Sequence, residues 1–197
     1  MDRGERDHNA EFTLNLPRGD VYSAKNRHLF GLIDRKRRAM ARLIITRCFK
    51  SYDINLHYIG CTPLSVAAIY GEEEMLRLLC ERKDVDINKQ DGGGSAALHH
   101  ASSRGQVGCM RILLGMGKAD ADTLNGSSYT ALHIAAYNGH LEAAALLIER
   151  GAKVNAADVY GETPLDWAQS KVEMEAFLKS KGAKLGSQLL PAPQRST

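Results

Sequence analysis

TALHIAAYNGH, residues 130–140, decides how this chain is read. It holds one His, paired alanines and a Gly near its end. Close copies stand at TPLSVAAIYGE from Thr62, AALHHASSRGQ from Ala96 and TPLDWAQSK from Thr163. The four strings begin 34, 34 and 33 residues apart. Gly71, Gly105 and Gly139 follow nine residues after the first three starts, again at steps of 34. So constant a period is the signature of supersecondary units stacked in a row, each too small to bury its apolar side alone.

The residue types suit a pair of helices per unit. Thr62 and Thr163 are good helix N-caps, and Pro63 and Pro164 fit the first turn. Ala67, Ala68, Ala135 and Ala136 keep the first helix thin, so that neighbouring units can approach. Gly71, Gly105 and Gly139 suit the left-handed residue that ends it. In the second helix, Leu76, Leu79 and Cys80 share a face, as do Met110, Leu113 and Leu114, and then Leu141, Ala144, Leu147 and Ile148. KADADTLN (118–125) and GAKVNAAD (151–158) are turn-forming segments.

The string T-P-L-H-x-A-A, the Gly of the next turn, the Leu-rich segment and GAKVNA together resemble the ankyrin repeat, over roughly residues 22–185. The resemblance implies an all-α solenoid of about five helix–turn–helix units, with short β-hairpin-like loops projecting as fingers. Residues 27–55 lack the Thr-Pro-Leu-His motif and suit a degenerate N-terminal cap, placed at 22–56. Repeats follow at about 57–90, 91–124 and 125–157. A C-terminal cap takes 158–185, with a shortened, Lys-rich second helix, because end units must face water. Residues 1–20 and 186–197 are polar, with Gly, Pro and Ser, and are expected to be disordered tails. In DGGGSAAL (91–98) Ala96 and Ala97 replace Thr-Pro, so this finger is expected to be the most mobile, with fast amide exchange at residues 91–97.

Bulk properties fit a soluble domain. Of the 197 residues 44% are hydrophobic, and no apolar run of about 18 residues marks a membrane span. The charged start MDRGERDHNA has no apolar core, so a signal peptide is not expected. Cysteines 48, 61, 80 and 109 show no CxxC spacing and read as buried thiols of a reducing compartment. Residues 1–50 hold 12 Lys/Arg against 6 Asp/Glu, while residues 51–197 hold 14 against 17. The basic excess therefore belongs to the N-terminal part.

No constellation for catalysis emerges. His99 and His133 could hold a metal or act as acid and base. One His per unit near a helix start instead suits a tie between a turn and its neighbour, and Ser65 and Asp166 hold the equivalent positions. His100 points elsewhere on its helix and could line the concave surface. Asp120 and Asp122 are finger residues, and Glu72, Glu73 and Glu74 open a helix, where negative charge meets the positive dipole end. No GxGxxG, P-loop, GxSxG, HExxH or calcium-loop pattern occurs. A non-enzyme without cofactor or metal is expected. Arg35, Lys36, Arg37 and Arg38 suit an import signal, a phosphate-binding patch or, the favoured reading, a solvated interhelical turn. By resemblance, Asn155 matches the finger asparagines that asparaginyl hydroxylases modify, though a turn-stabilising role is the simpler one.

The resemblance also implies where binding happens. The frame uses T-P-L-H-A-A, Gly and Leu, leaving finger tips and first-helix ends to line a concave face. These are Tyr58, Ile59, Cys61, Ile69 and Tyr70; then Ser95, Ser103 and Arg104; then Ser127, Tyr129, Tyr137 and Asn138; then Val159, Tyr160 and Glu162. Five of the seven tyrosines fall in this set, and tyrosine is enriched at binding hot spots. Tyr70 and Tyr137 are expected at the surface, whereas Tyr160 could pack on Trp167. The expected function is protein–protein recognition by a monomer, as adaptor, scaffold or inhibitor. Nucleic acid is the less fitting partner, since Arg104 is the sole cation in the set. The alternative is a nuclear regulator whose basic N-terminal unit touches nucleic acid or acidic membrane. The expected compartment is the cytoplasm, with the nucleus as the variant an import signal would add.

Overall fold

A computed structural model describes residues 61–189. Helices α1 (Pro63–Tyr70), α3 (Ala97–Ser103), α5 (Ala131–Asn138) and α7 (Pro164–Trp167) begin at the four copies of the string. Each is followed by a second helix, namely α2 (Glu73–Cys80), α4 (Val107–Gly115), α6 (Leu141–Glu149) and α8 (Val172–Ser180). First helices stack on first helices in chain order, and second helices form a parallel row behind them. The expected all-α solenoid is what the chain forms. Apart from an isolated bridge at Cys61, no strand occurs among the described residues, and the fingers are loops held by turns.

One core runs through the stack. The leucines of the repeated string, Leu64, Leu98, Leu132 and Leu165, are all buried. Between them Ala67, Ala68, Ala101, Ala135, Ala136 and Ala168 have no exposed surface, so the thin helices do touch. Leu76, Met110, Leu113, Leu147, Met174 and Leu178 fill the space against the second row. Thr62 and Thr130 cap α1 and α5, accepting from the backbone N–H of Ser65 and His133. Gly71 (φ 70°) and Gly139 (φ 74°) end the same helices in the left-handed region.

The fingers share a device. Asp91 Oδ1 accepts from the N–H of Gly93 and Ser95, both at 2.9 Å. Asn125 Oδ1 accepts from Ser127 and Tyr129 at 3.0 and 2.9 Å, and Asp158 Oδ1 from Tyr160 and Glu162 at 2.8 and 2.9 Å. Each loop is thus tied internally by a side chain that mimics a backbone turn. The finger with the three glycines lacks a cap hydroxyl at Ala96, yet Gly94 has a positive use. It sits at φ +75°, its carbonyl accepts from Gly126 N–H at 2.9 Å, and a Cβ there would lie 2.6 Å from Gly126 Cα. Two fingers touch glycine on glycine. Gly94→Ala is therefore expected to cost about 2 kcal/mol in urea unfolding, from the left-handed backbone and the displaced neighbour together. A loss under about 0.5 kcal/mol would show that this contact is not kept in solution.

The C-terminal boundary differs from expectation. Instead of a tail beginning at residue 186, the chain forms a further helical turn, α9 (Gly186–Leu189). Thr163 Oγ lies 2.7 Å from Lys184 O, Gly186 N–H donates to Asp166 Oδ2 at 2.7 Å, and Gly186 is buried against Gly161. These bonds pull residues 183–186 onto the last unit where an inner unit would receive the next finger. The degenerate cap at 22–56 and the tail at 1–20 lie outside the described residues.

Candidate functional site

The repeated histidines belong to the frame. His133 Nδ1 accepts from Thr130 N–H at 3.2 Å, and its Nε2–H donates to Glu162 O, 3.2 Å away in the next finger. His99 repeats this, with Nδ1 accepting from Ala96 N–H at 3.1 Å and Nε2 within 3.2 Å of Thr123 O and Tyr129 O. Both nitrogens are used, so each ring is neutral with its proton on Nε2. Burial pushes His99 down to about 4 and lowers His133 as well. In the fourth unit Asp166 takes the position, and among the described residues no further finger packs on it. The acceptor replaces the donor because its partner there is the N–H of Gly186 rather than a carbonyl.

His100 does not line the face openly. Its Nε2 lies 2.5 Å from Asp91 Oδ2, and 12% of its side chain is exposed. Burial alone would raise the Asp91 carboxyl, but hydrogen bonds from His100, Ser95 and Gly93 bring it below its ordinary value. Cys61 Sγ also faces Asp91, 4.0 Å from Oδ2. Burial pushes Cys61, Cys80 and Cys109 up to about 11, so these thiols are unreactive at neutral pH. Among the described residues no group of three or more His, Cys, Asp or Glu could hold a metal ion.

The expected binding residues divide into three groups. Tyr70 is 64% exposed and Tyr160 68%, with Arg104, Ser127, Asn138 and Val159 also exposed. Ile69, Ser103, Tyr129, Tyr137 and Glu162 are partly buried. Cys61 and Ser95 are buried, which corrects their placement on the open face; the folded-over Asp91 loop covers both. A second correction concerns Trp167. Tyr129 packs on it edge to face at 4.3 Å and Tyr137 at 5.8 Å, so Tyr137 is half-buried. Tyr160, which could have packed on that indole, is 68% exposed. The indole Nε1–H donates to Asp158 Oδ2 at 3.3 Å. Asn155 Oδ1 accepts from Lys184 N–H and its Nδ2 donates to Gly182 O, the structural use of that side chain. Tyr58, Ile59, Arg35, Lys36, Arg37 and Arg38 lie outside the described residues.

The residues that sequence reasoning passed over are Asp91, Asn125 and Asp158. Their own spacing of 34 and 33 residues was the available signal.

Residues 33–125 and 98–188 match the family described as ankyrin repeats (3 copies), and together these stretches cover most of the chain. The chain belongs to the ankyrin-repeat family. It is similar to zinc finger CCCH domain-containing protein 24 of Oryza sativa subsp. japonica, 46% identical over 106 residues, which is 53% of this chain and 10% of that protein. It is similar to SMC5-SMC6 complex localization factor protein 1 of Homo sapiens, 34% identical over 125 residues, 62% of this chain and 12% of that one. Ankyrin repeat and SOCS box protein 16 of Homo sapiens is 39% identical over 110 residues, 55% and 24% of the two chains. This chain thus spans between a tenth and a quarter of the length of these relatives. Ankyrin repeats generally mediate protein–protein interaction and are generally not enzymes. Among the described residues no helix is long and apolar enough to cross a membrane.

Proposed function

We propose that this chain recognises another protein, as an adaptor, scaffold or inhibitor, through its inner helix ends and finger tips. The supporting observation is the contrast along each unit. The repeated string is buried, whereas Tyr70, Arg104, Asn138 and Tyr160 remain at the surface at the ends of that string or on the adjoining finger. Large rings with a polar tip give contact area at low entropic cost, and such groups form hot spots. On this proposal the chain works as a monomer in the cytoplasm, and in the nucleus too if Arg35, Lys36, Arg37 and Arg38 act as an import signal.

Affinity capture with wild-type chain and with Tyr70→Ala/Tyr160→Ala tests this. Capture of the wild-type partner is expected to weaken at least tenfold, about 1.4 kcal/mol, with unchanged helical circular dichroism. Arg111→Ala on the outer row, where the side chain is exposed, is expected to bind as wild type. Equal capture by all three baits would reject the face.

The basic excess of residues 1–50 favours one second reading, contact with nucleic acid or acidic membrane. That binding would weaken steeply as salt rises, whereas a tyrosine-centred contact would change little.

A further inference from the structure

The sequence carries two Asn–Gly pairs, Asn125–Gly126 and Asn138–Gly139. Asparagine is chemically labile before glycine, because no Cβ shields the glycine nitrogen from the preceding side-chain amide. Asn138 lies in α5, where its Nδ2 donates to Ile134 O at 2.9 Å. Asn125 lies in a loop, and the fold itself calls for both members of that pair. The loop needs a side-chain acceptor at 125 for the N–H groups of Ser127 and Tyr129. The contact between fingers needs glycine at 126, since a Cβ there would lie 3.2 Å from Gly93 O and 3.3 Å from Gly94 Cα.

The neighbouring fingers meet the first demand with aspartate. The second oxygen of Asp91 and of Asp158 accepts from a side chain nine residues on, His100 Nε2 and Trp167 Nε1. Nine residues after Asn125 stands Ile134, buried and without a donor. A neutral amide suits that register better than a carboxylate.

Deamidation begins when Gly126 N, giving its proton to solvent base, attacks Asn125 Cγ. The Cγ–Nδ2 bond breaks, ammonia leaves, and a succinimide ring remains. One water then opens the ring. Breaking the bond from N to Cγ leaves aspartate, and breaking the bond from N to the α-carbonyl carbon leaves isoaspartate, whose backbone runs through the side chain. In the folded chain Gly126 N–H is held by Gly94 O at 2.9 Å. Asn125 donates its own N–H to Tyr129 O and accepts at its carbonyl from Ser128 N–H, both at 2.9 Å. These bonds fix the torsions that ring closure has to change.

We propose that Asn125 is a site of spontaneous deamidation, held off by the Gly94–Gly126 contact. While the two fingers touch, the amide persists. When they part it converts, and the product leaves the finger of the third unit loosened. Aspartate sets a charge where the register offers no donor, and isoaspartate lengthens the backbone of the loop.

Peptide mapping by mass spectrometry, on the full chain held in mildly alkaline buffer, tests this. Unfolded in guanidinium, Asn125 and Asn138 should both convert readily. In the folded chain Asn125 should convert at least about tenfold more slowly. Gly94→Ala, whose Cβ would lie 2.7 Å from Gly126 N, should speed Asn125 in the folded chain about tenfold. Leu178→Ala, which empties a fully buried site in α8 of the fourth unit, should speed it less than about twofold. Should Gly94→Ala not fold, wild type in sub-denaturing guanidinium answers instead, and Asn125 conversion and Gly126 N–H exchange should rise together. Asn125→Asp is expected to melt about 5 °C below wild type. Equal rates at Asn125 in folded and unfolded chain, or equal acceleration by Gly94→Ala and Leu178→Ala, would overturn the protection by the finger contact. So would Asn125 conversion that does not follow Gly126 exchange. An Asn125→Asp midpoint equal to wild type would overturn the loosening.

Discussion

Acidification from about pH 7 to pH 4 is expected to remove about 3 kcal/mol of unfolding free energy through His99. Its ring is almost completely buried, and each nitrogen already has a partner that demands the neutral form. A second proton would have to sit on Nδ1, which faces the N–H of Ala96. Burial accordingly holds the folded value at about 4 against an ordinary 6.5, and about 1.4 kcal/mol per pH unit sets the size. The sign follows from which state takes up the proton first. Below pH 6.5 the unfolded chain binds it while the folded chain does not, so stability is complete above that pH and lost on the way down to about 4. His133, lowered for the same reason, adds in the same direction. Asp91 has a lowered carboxyl, so its contribution is lost as pH falls from about the ordinary carboxylate value downward, at the foot of this window. Urea unfolding at a series of pH values measures this, and His99→Gln should flatten much of the slope. A profile level from pH 7 to pH 4.5 would contradict the buried neutral histidines.

Leu132→Ala is expected to cost about 3 kcal/mol, in the range for emptying a fully buried leucine site. Leu132 lies in α5, which packs on both α3 and α7. A cavity there weakens both junctions at once, and in a stack of repeats stability is carried by such junctions. Val172→Ala, at an exposed position of α8, is expected to change little. Thermal or urea unfolding compares the two, and a Leu132→Ala cost below about 1 kcal/mol would show that the stack is not packed as described.

The repeat was legible in the sequence because stacking imposes the same demand on every unit. Leucine recurs in all four copies, glycine in three, and paired alanine and histidine in two each, and a period of 34 exposes them. The Asp91, Asn125 and Asp158 loops obey the same period but escaped notice, since Asp and Asn look like ordinary turn residues. The face was less legible, because exposure there depends on single contacts that do not repeat. Trp167 occurs once; it bonds Asp158, and Tyr129 and Tyr137 pack on it edge to face. Likewise, nothing periodic announces that residues 183–186 return to the last unit. The clue was Asp166 in a histidine position, an acceptor awaiting an N–H.

Amide exchange of the chain with and without its captured partner tests the recognition face most directly. Slowed exchange is predicted at residues 69–71, 103–105, 137–139 and 159–162, along the inner helix ends and finger tips. Slowing confined to α2, α4 and α6 of the outer row would contradict it.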